Sequence, residues 1–138
     1  MKIIKISNNS FDKNFIKELI ENKKCLIAVF SKSCIHCIIM KPEWQLFKKK
    51  LNKINSNCVL LEIDAEQLNN INSIELKKNI NGYPSIIAFN KGKKFKEFNG
   101  NRTMNNMFKF FKNFIIGDKK NNTKKRFKSK KNTKSRKL

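Results

Sequence analysis

The stretch Cys25-Leu26-Ile27-Ala28-Val29-Phe30 restricts the fold more than any other part of the chain. It is apolar at every position, so it does not read as a strand with one wet face. A continuous run of this kind predicts a strand buried on both faces, as in a central parallel strand. Two further strands are expected, Cys58-Val59-Leu60-Leu61-Glu62-Ile63 with Asp64 at its end, and Ser85-Ile86-Ile87-Ala88-Phe89. Helical spacing lies between them. Phe11, Phe15, Ile16, Leu19 and Ile20 form one series, preceded by a loop, residues 7–10, that ends in good N-cap residues. Ile38, Ile39, Trp44, Phe47, Leu51 and Ile54 form a second, with Pro42 inside it as a kink. Residues 71–80 read as a shorter helix, and Met104, Met107, Phe108, Phe111, Phe114 and Ile115 line one face of a last one. Ile3, Ile4 and Ile6 add a first strand, and the turn 90–93 folds residues 95–98 back as an antiparallel partner. The order is β-α-β-α-β-α-β-β-α, an α/β sheet with helices on both faces.

A chain of 138 residues suits one domain. Its formal charge is +22, and that charge is unevenly spread. Residues 117–138 hold eleven Lys or Arg and one acid, Asp118, but only two large apolar side chains, Phe127 and Leu138. Such a segment buries too little to offset its ordering entropy, so it is expected to be a disordered basic tail. The folded unit is then 1–116, which is itself basic. Lys, Asn and Ile together dominate the composition. All three have AT-rich codons, so part of the charge reads as genome bias on a solvated surface. No run of apolar residues is long enough for a transmembrane helix. The first residues are too weakly apolar for a secretory signal.

Cys34-Ile35-His36-Cys37 falls between the apolar strand and the start of the second helix. The first turn of a helix carries unpaired N–H groups and a partial positive charge, so a thiolate at Cys34 is stabilised there. A protonated His36 adds to that effect. Two intervening residues put Cys37 within disulfide reach. The exposed cysteine of such a pair attacks a substrate disulfide and the second resolves the mixed disulfide. Two other readings remain open on the residues alone: half a zinc site, which needs two more ligands, and a structural disulfide. Cys25 and Cys58 read as core thiols.

Five pieces in order resemble one family. Cys34-Ile-His-Cys37 resembles Cys-Gly-His-Cys, Pro42-Glu43-Trp44 its kinked helix, Ile63-Asp64-Ala65 its Val-Asp-Ala. Gly82-Tyr83-Pro84-Ser85 resembles Gly-Tyr-Pro-Thr, and Gly100-Asn101-Arg102-Thr103 resembles Gly-x-Arg-Thr. These are the marks of a thioredoxin-fold protein, most like a redox-active domain of protein disulfide isomerase. The resemblance covers 1–116. It implies a three-layer thioredoxin-like α/β fold with a central mixed sheet. It implies Cys34 as attacking nucleophile, Cys37 as the more buried resolving thiol, and His36 favouring the Cys34 thiolate. A cis Tyr83–Pro84 bond is implied beside them, with Tyr83 backbone pairing with substrate chain. Pro84 is implied to keep stray metal off the cysteines, and Arg102 to tune Cys37. No cofactor and no metal is implied.

The chain departs from the family at three points. The buried acid six residues before the first cysteine is Ala28 here, and the basic residue two before Asp64 is Glu62. Glu62 is therefore expected to take over proton transfer for Cys37. The residue before Cys34 is Ser33, not Trp, so part of the apolar substrate-facing surface is missing. Expected partners are cysteine-bearing protein substrates, a thiol oxidase or reductase, and nucleic acid held nonspecifically by the tail. The protein is expected to be monomeric. Without a leader or ER-retention tetrapeptide the expected place is cytoplasmic, in a viral factory or virion of a large DNA virus. The competing function is a basic binding or packaging protein that uses the fold as scaffold.

Overall fold

The computed structural model describes residues 1–116. The basic segment 117–138, with the tail's expected disorder and nucleic-acid binding, lies outside the described residues. The elements are β1 (Lys2–Ile6), α1 (Lys13–Asn22), β2 (Lys24–Phe30), α2 (Ile35–Asn52), β3 (Val59–Asp64), a 3-10 turn (Ala65–Asn70), α3 (Ile74–Lys78), β4 (Ser85–Asn90) and β5 (Lys93–Glu97). A last helix, α4, is described over 104–116. Among the described residues no helix is long and apolar enough to cross a membrane.

The five strands form one mixed sheet in the order β1-β3-β2-β4-β5. β2 is central, as its sequence demands, parallel to β3 but antiparallel to β4. Its continuous apolar run serves both faces in alternation. Cys25, Ile27 and Val29 pack with Ile16, Ile20 and Leu76 of α1 and α3. Leu26 and Ala28 pack with Trp44, Phe47, Phe111 and Phe114 of α2 and α4. Each face of the sheet is thus covered by two helices, and a strand that meets helices on both sides has no place for a polar alternation. Cys25 and Cys58 are buried on opposite faces and all four cysteines are free thiols.

Local chemistry sets the ends of the elements. The α1 cap is Asp12, whose carboxylate accepts from the Phe15 N–H at 3.1 Å. Ser10 instead donates its backbone N–H to Asn8 within the loop. The expected cap thus moves two residues along, because Asp12 is the last capping side chain before the helix. Residues 71–80 carry a five-residue helix rather than a longer one, since Ser73 caps it at Leu76 and the segment before is a 3-10 turn. The hairpin turns at Lys91 and Gly92, with φ of +50° and +85°. A side chain at Gly92 would be strained by that φ.

Beyond the core packing, a carboxylate of α2 holds the first turn of α4. Glu43 Oε1 accepts from the Met104 N–H at 2.7 Å, while Thr103 caps Asn106. An acidic oxygen at a helix N-terminus satisfies a free donor and meets the positive end of the dipole. Glu43→Ala removes this link without touching the core. It should lower unfolding free energy by about 1–2 kcal/mol, read from urea titration followed by the emission of Trp44, the sole tryptophan.

Candidate active site

The strand registers bring distant motifs together. Val29 lies beside Ser85 across the β2–β4 ladder. The end of β2, which leads into Cys34, therefore meets the start of β4, which follows Pro84. Ser85 is buried and donates its hydroxyl to the Gly82 carbonyl at 2.6 Å, closing the loop around Tyr83 and Pro84. The Tyr83–Pro84 bond is cis.

Cys34 is itself the N-cap of α2. Its sulfur accepts from the Cys37 N–H at 3.3 Å, and its carbonyl accepts from the Ile38 N–H. As a donor the Cys34 thiol lies 3.4 Å from the Tyr83 carbonyl. A sulfur in a cap position faces the N–H groups that a Ser or Asp usually satisfies. Cys34 is partly exposed, while Cys37, one turn further in, is 8% exposed.

The two thiols are driven apart electrostatically. A hydrogen bond with the Cys37 side chain holds the Cys34 pKa below its ordinary value of 9.0. The backbone N–H groups of Cys37 and His36 and the charge of Arg102 act in the same direction, against partial burial. Burial pushes Cys37 up to about 11, and its hydrogen bond to Cys34 adds to that. One member of the pair is thus favoured as thiolate and the other as thiol. His36 is exposed, and what it presents to the Cys34 sulfur is its backbone N–H. Arg102, in the exposed turn before α4, is close enough for its charge to lower both thiols.

Glu62 stands directly beside Ala28 in the β2–β3 register. The missing acid of β2 has an acid at the adjacent place on β3. The carboxylate accepts from Trp44 Nε1 at 2.7 Å and from Lys48 Nζ at 2.9 Å, and Lys5 Nζ lies 3.7 Å from its other oxygen. Burial raises its pKa, but the Lys48 and Trp44 hydrogen bonds and the two lysine charges outweigh burial, so it lies below the ordinary value. These three partners make Glu62 an anchor that holds α2 to β3. A cavity of about 340 Å³ opens between Cys37, Trp44 and Glu62, lined also by Phe30, Lys41 and Asp64.

Among the described residues no group of three or more His, Cys, Asp or Glu is placed to hold a metal ion. Sequence reasoning missed Lys48 and read Ser85 only as a motif and strand residue, and the signal for both lay in register. Lys48 is one turn beyond Trp44 on the face that meets β3, and Ser85 is the first residue of β4.

Residues 2–113 match the family model described as Thioredoxin. The chain is similar to "Bloodstream-specific protein 2" of Trypanosoma brucei brucei, 30% identical over 72% of this chain and 19% of that one. It is similar to "Protein disulfide-isomerase 1" of Dictyostelium discoideum, 22% identical over 72% of this chain and 27% of the relative. It thus spans about a fifth to a quarter of the length of these relatives. Among solved structures, the J-Trx1 fragment of ERdj5 superposes with a TM-score of 0.61 at 20% identity, over 83% of this chain and 52% of that one. Reduced thioredoxin pre-protein of Schistosoma mansoni gives 0.58 at 23% identity, over 83% and 99%. These two likenesses speak for the fold alone. With the family match over most of its length, and its paired cysteines at the N-terminus of α2, the chain belongs to the thioredoxin family.

Proposed function

We propose that the chain is a thiol–disulfide oxidoreductase that acts on cysteines of proteins, in the manner of a disulfide isomerase domain. The observation that carries this reading is the asymmetry of the pair: a capped, lowered Cys34 beside a buried, raised Cys37. In the reducing direction the Cys34 thiolate attacks one sulfur of a substrate disulfide. The other substrate sulfur leaves as thiolate and takes up a proton. Cys37 then loses its proton and attacks the Cys34 sulfur. The second substrate thiol is released, and the Cys34–Cys37 disulfide holds the two electrons' worth of oxidation. The reverse sequence oxidises a substrate dithiol.

Geometry supports each role. The Tyr83 carbonyl, 3.4 Å from the Cys34 sulfur, lies where an extended substrate chain pairs its own N–H. Arg102 favours the thiolate of both cysteines in turn.

Cys34→Ser should abolish reduction of insulin disulfides, measured by turbidity with a dithiol as electron donor. Full activity in that variant rejects the reading. Cys37→Ala should instead trap a mixed disulfide between Cys34 and its substrate, visible as a thiol-labile adduct by mass spectrometry.

Glu62→Gln tests the anchor. Across about pH 6–9, where attacking thiols titrate, its oxidation and reduction rates should keep the parent's pH profile. A lost or shifted limb assigns Glu62 the proton relay for Cys37 instead. Stability should fall by about 1–3 kcal/mol at neutral pH, because Lys48 loses its charged partner. A carboxyl with a lowered folded pKa contributes its stability above the ordinary value of 4.5. The gap between parent and variant in urea titrations should therefore shrink as the pH falls below that value.

A further inference from the structure

α2 is apolar on two sides. Its inward face buries Cys37, Met40, Trp44, Phe47 and Leu51. Its outward face carries Ile35, Ile39, Pro42 and Leu46, spaced i, i+4, i+7 and i+11, with Ile38 beside them. Ile35, Ile38, Ile39 and Leu46 are 61%, 56%, 66% and 47% exposed. Single exposed apolar side chains are ordinary, but a contiguous stripe of five on one helix marks a contact surface. The 4-3-4 spacing is that of a seam that receives another helix.

The stripe begins at Ile35, between the two cysteines, so whatever lies along it ends at Cys34. Lys41 and Lys49 are exposed along one flank, and Lys50, exposed along the other, lays its ammonium over the Phe108 ring of α4 at 4.2 Å. Glu43, the acid nearest the stripe, is occupied at the α4 N-terminus. A second copy of this chain would set these lysines against themselves, with a net charge of +22 on each side. A membrane surface also favours lysines around an apolar stripe, but such interfacial helices commonly bring Trp or Phe. This face has none, because Trp44 and Phe47 point inward. Charge and shape together select an acidic polypeptide.

We propose that the outward face of α2 is the docking site for an amphipathic helix of a protein partner, apolar along its seam and acidic on both flanks. The helix brings a cysteine of that partner to Cys34. This deepens, and rests on, the redox reading of the same site. Ile39 and Leu46 are then specificity determinants that take no part in the thiol chemistry.

The test uses the full chain and a labelled three-heptad peptide, with leucine at the seam positions and glutamate on the flanks. Binding is read by fluorescence anisotropy at low salt. Expected is saturable binding that weakens about tenfold or more in Ile39→Glu and in Leu46→Glu. The same loss is expected for a peptide with lysine in place of glutamate, and with added salt. Both variants should keep the parent's turnover of oxidised glutathione and its Trp44 emission, since both positions are exposed. Cys34→Ser should keep peptide binding and lose turnover. Absence of peptide binding, binding indifferent to Ile39→Glu, or equal binding of the lysine peptide overturns the docking site and leaves the redox reading standing. So does binding to vesicles of phosphatidylserine and phosphatidylcholine that Ile39→Glu abolishes while the peptide does not compete. Loss of turnover in the parent with peptide binding intact overturns the redox reading alone.

Discussion

The burial of β2 on both edges and both faces governs the rest of the molecule. A strand flanked by β3 and β4 and covered by four helices has no freedom to slide, because a one-residue slip would exchange its two apolar sets. Its C-terminal end is therefore held beside the start of β4. The chain leaving that end has only residues 31–33 before Cys34 begins α2. The short link puts the sulfur at the helix N-terminus and under the Tyr83 carbonyl together.

From that placement the division of labour follows. A sulfur in a cap position collects N–H groups and the charge of Arg102, and its proton is easily lost. One turn deeper the same chemical group is enclosed, and its proton is held. Two identical side chains come to differ in how readily they lose a proton through their position on one helix, the difference that the proposed chemistry uses. The buried charge beneath them joins two elements. The acid sits on β3 and its lysine on α2, and both are already paired, so they brace the helix against the sheet.

The core strands were legible because a continuous apolar run has one physical meaning, and the cysteine pair because its spacing and position are chemically specific. Legibility ended where two arrangements share one pattern. Ile38 and Ile39 belong to the same helical series as Trp44, Phe47 and Leu51, and the series alone does not assign them to a face. The structure divides them, since a helix apolar on both sides shows no polar stripe to separate core from contact surface. The antiparallel direction of β4 was hidden because it depends on where α3 returns the chain. The state of Glu62 was hidden because it is set by Lys48 and Trp44, residues fourteen and eighteen positions away along the chain. Its place beside Ala28 was readable from the motifs, but its charge partners were not.

The asymmetry of the thiol pair is measured most directly by the pH dependence of alkylation. The reduced protein is treated with iodoacetamide over a pH series, and modification at Cys34 and Cys37 is resolved by peptide mass spectrometry. Cys34 should be modified first, with a midpoint below the ordinary 9.0, and Cys37 should lag far behind, in keeping with a pKa of about 11. Modification of Cys37 at a rate equal to that of Cys34, or a Cys34 midpoint at or above 9.0, would contradict the assignment of Cys34 as the attacking thiolate.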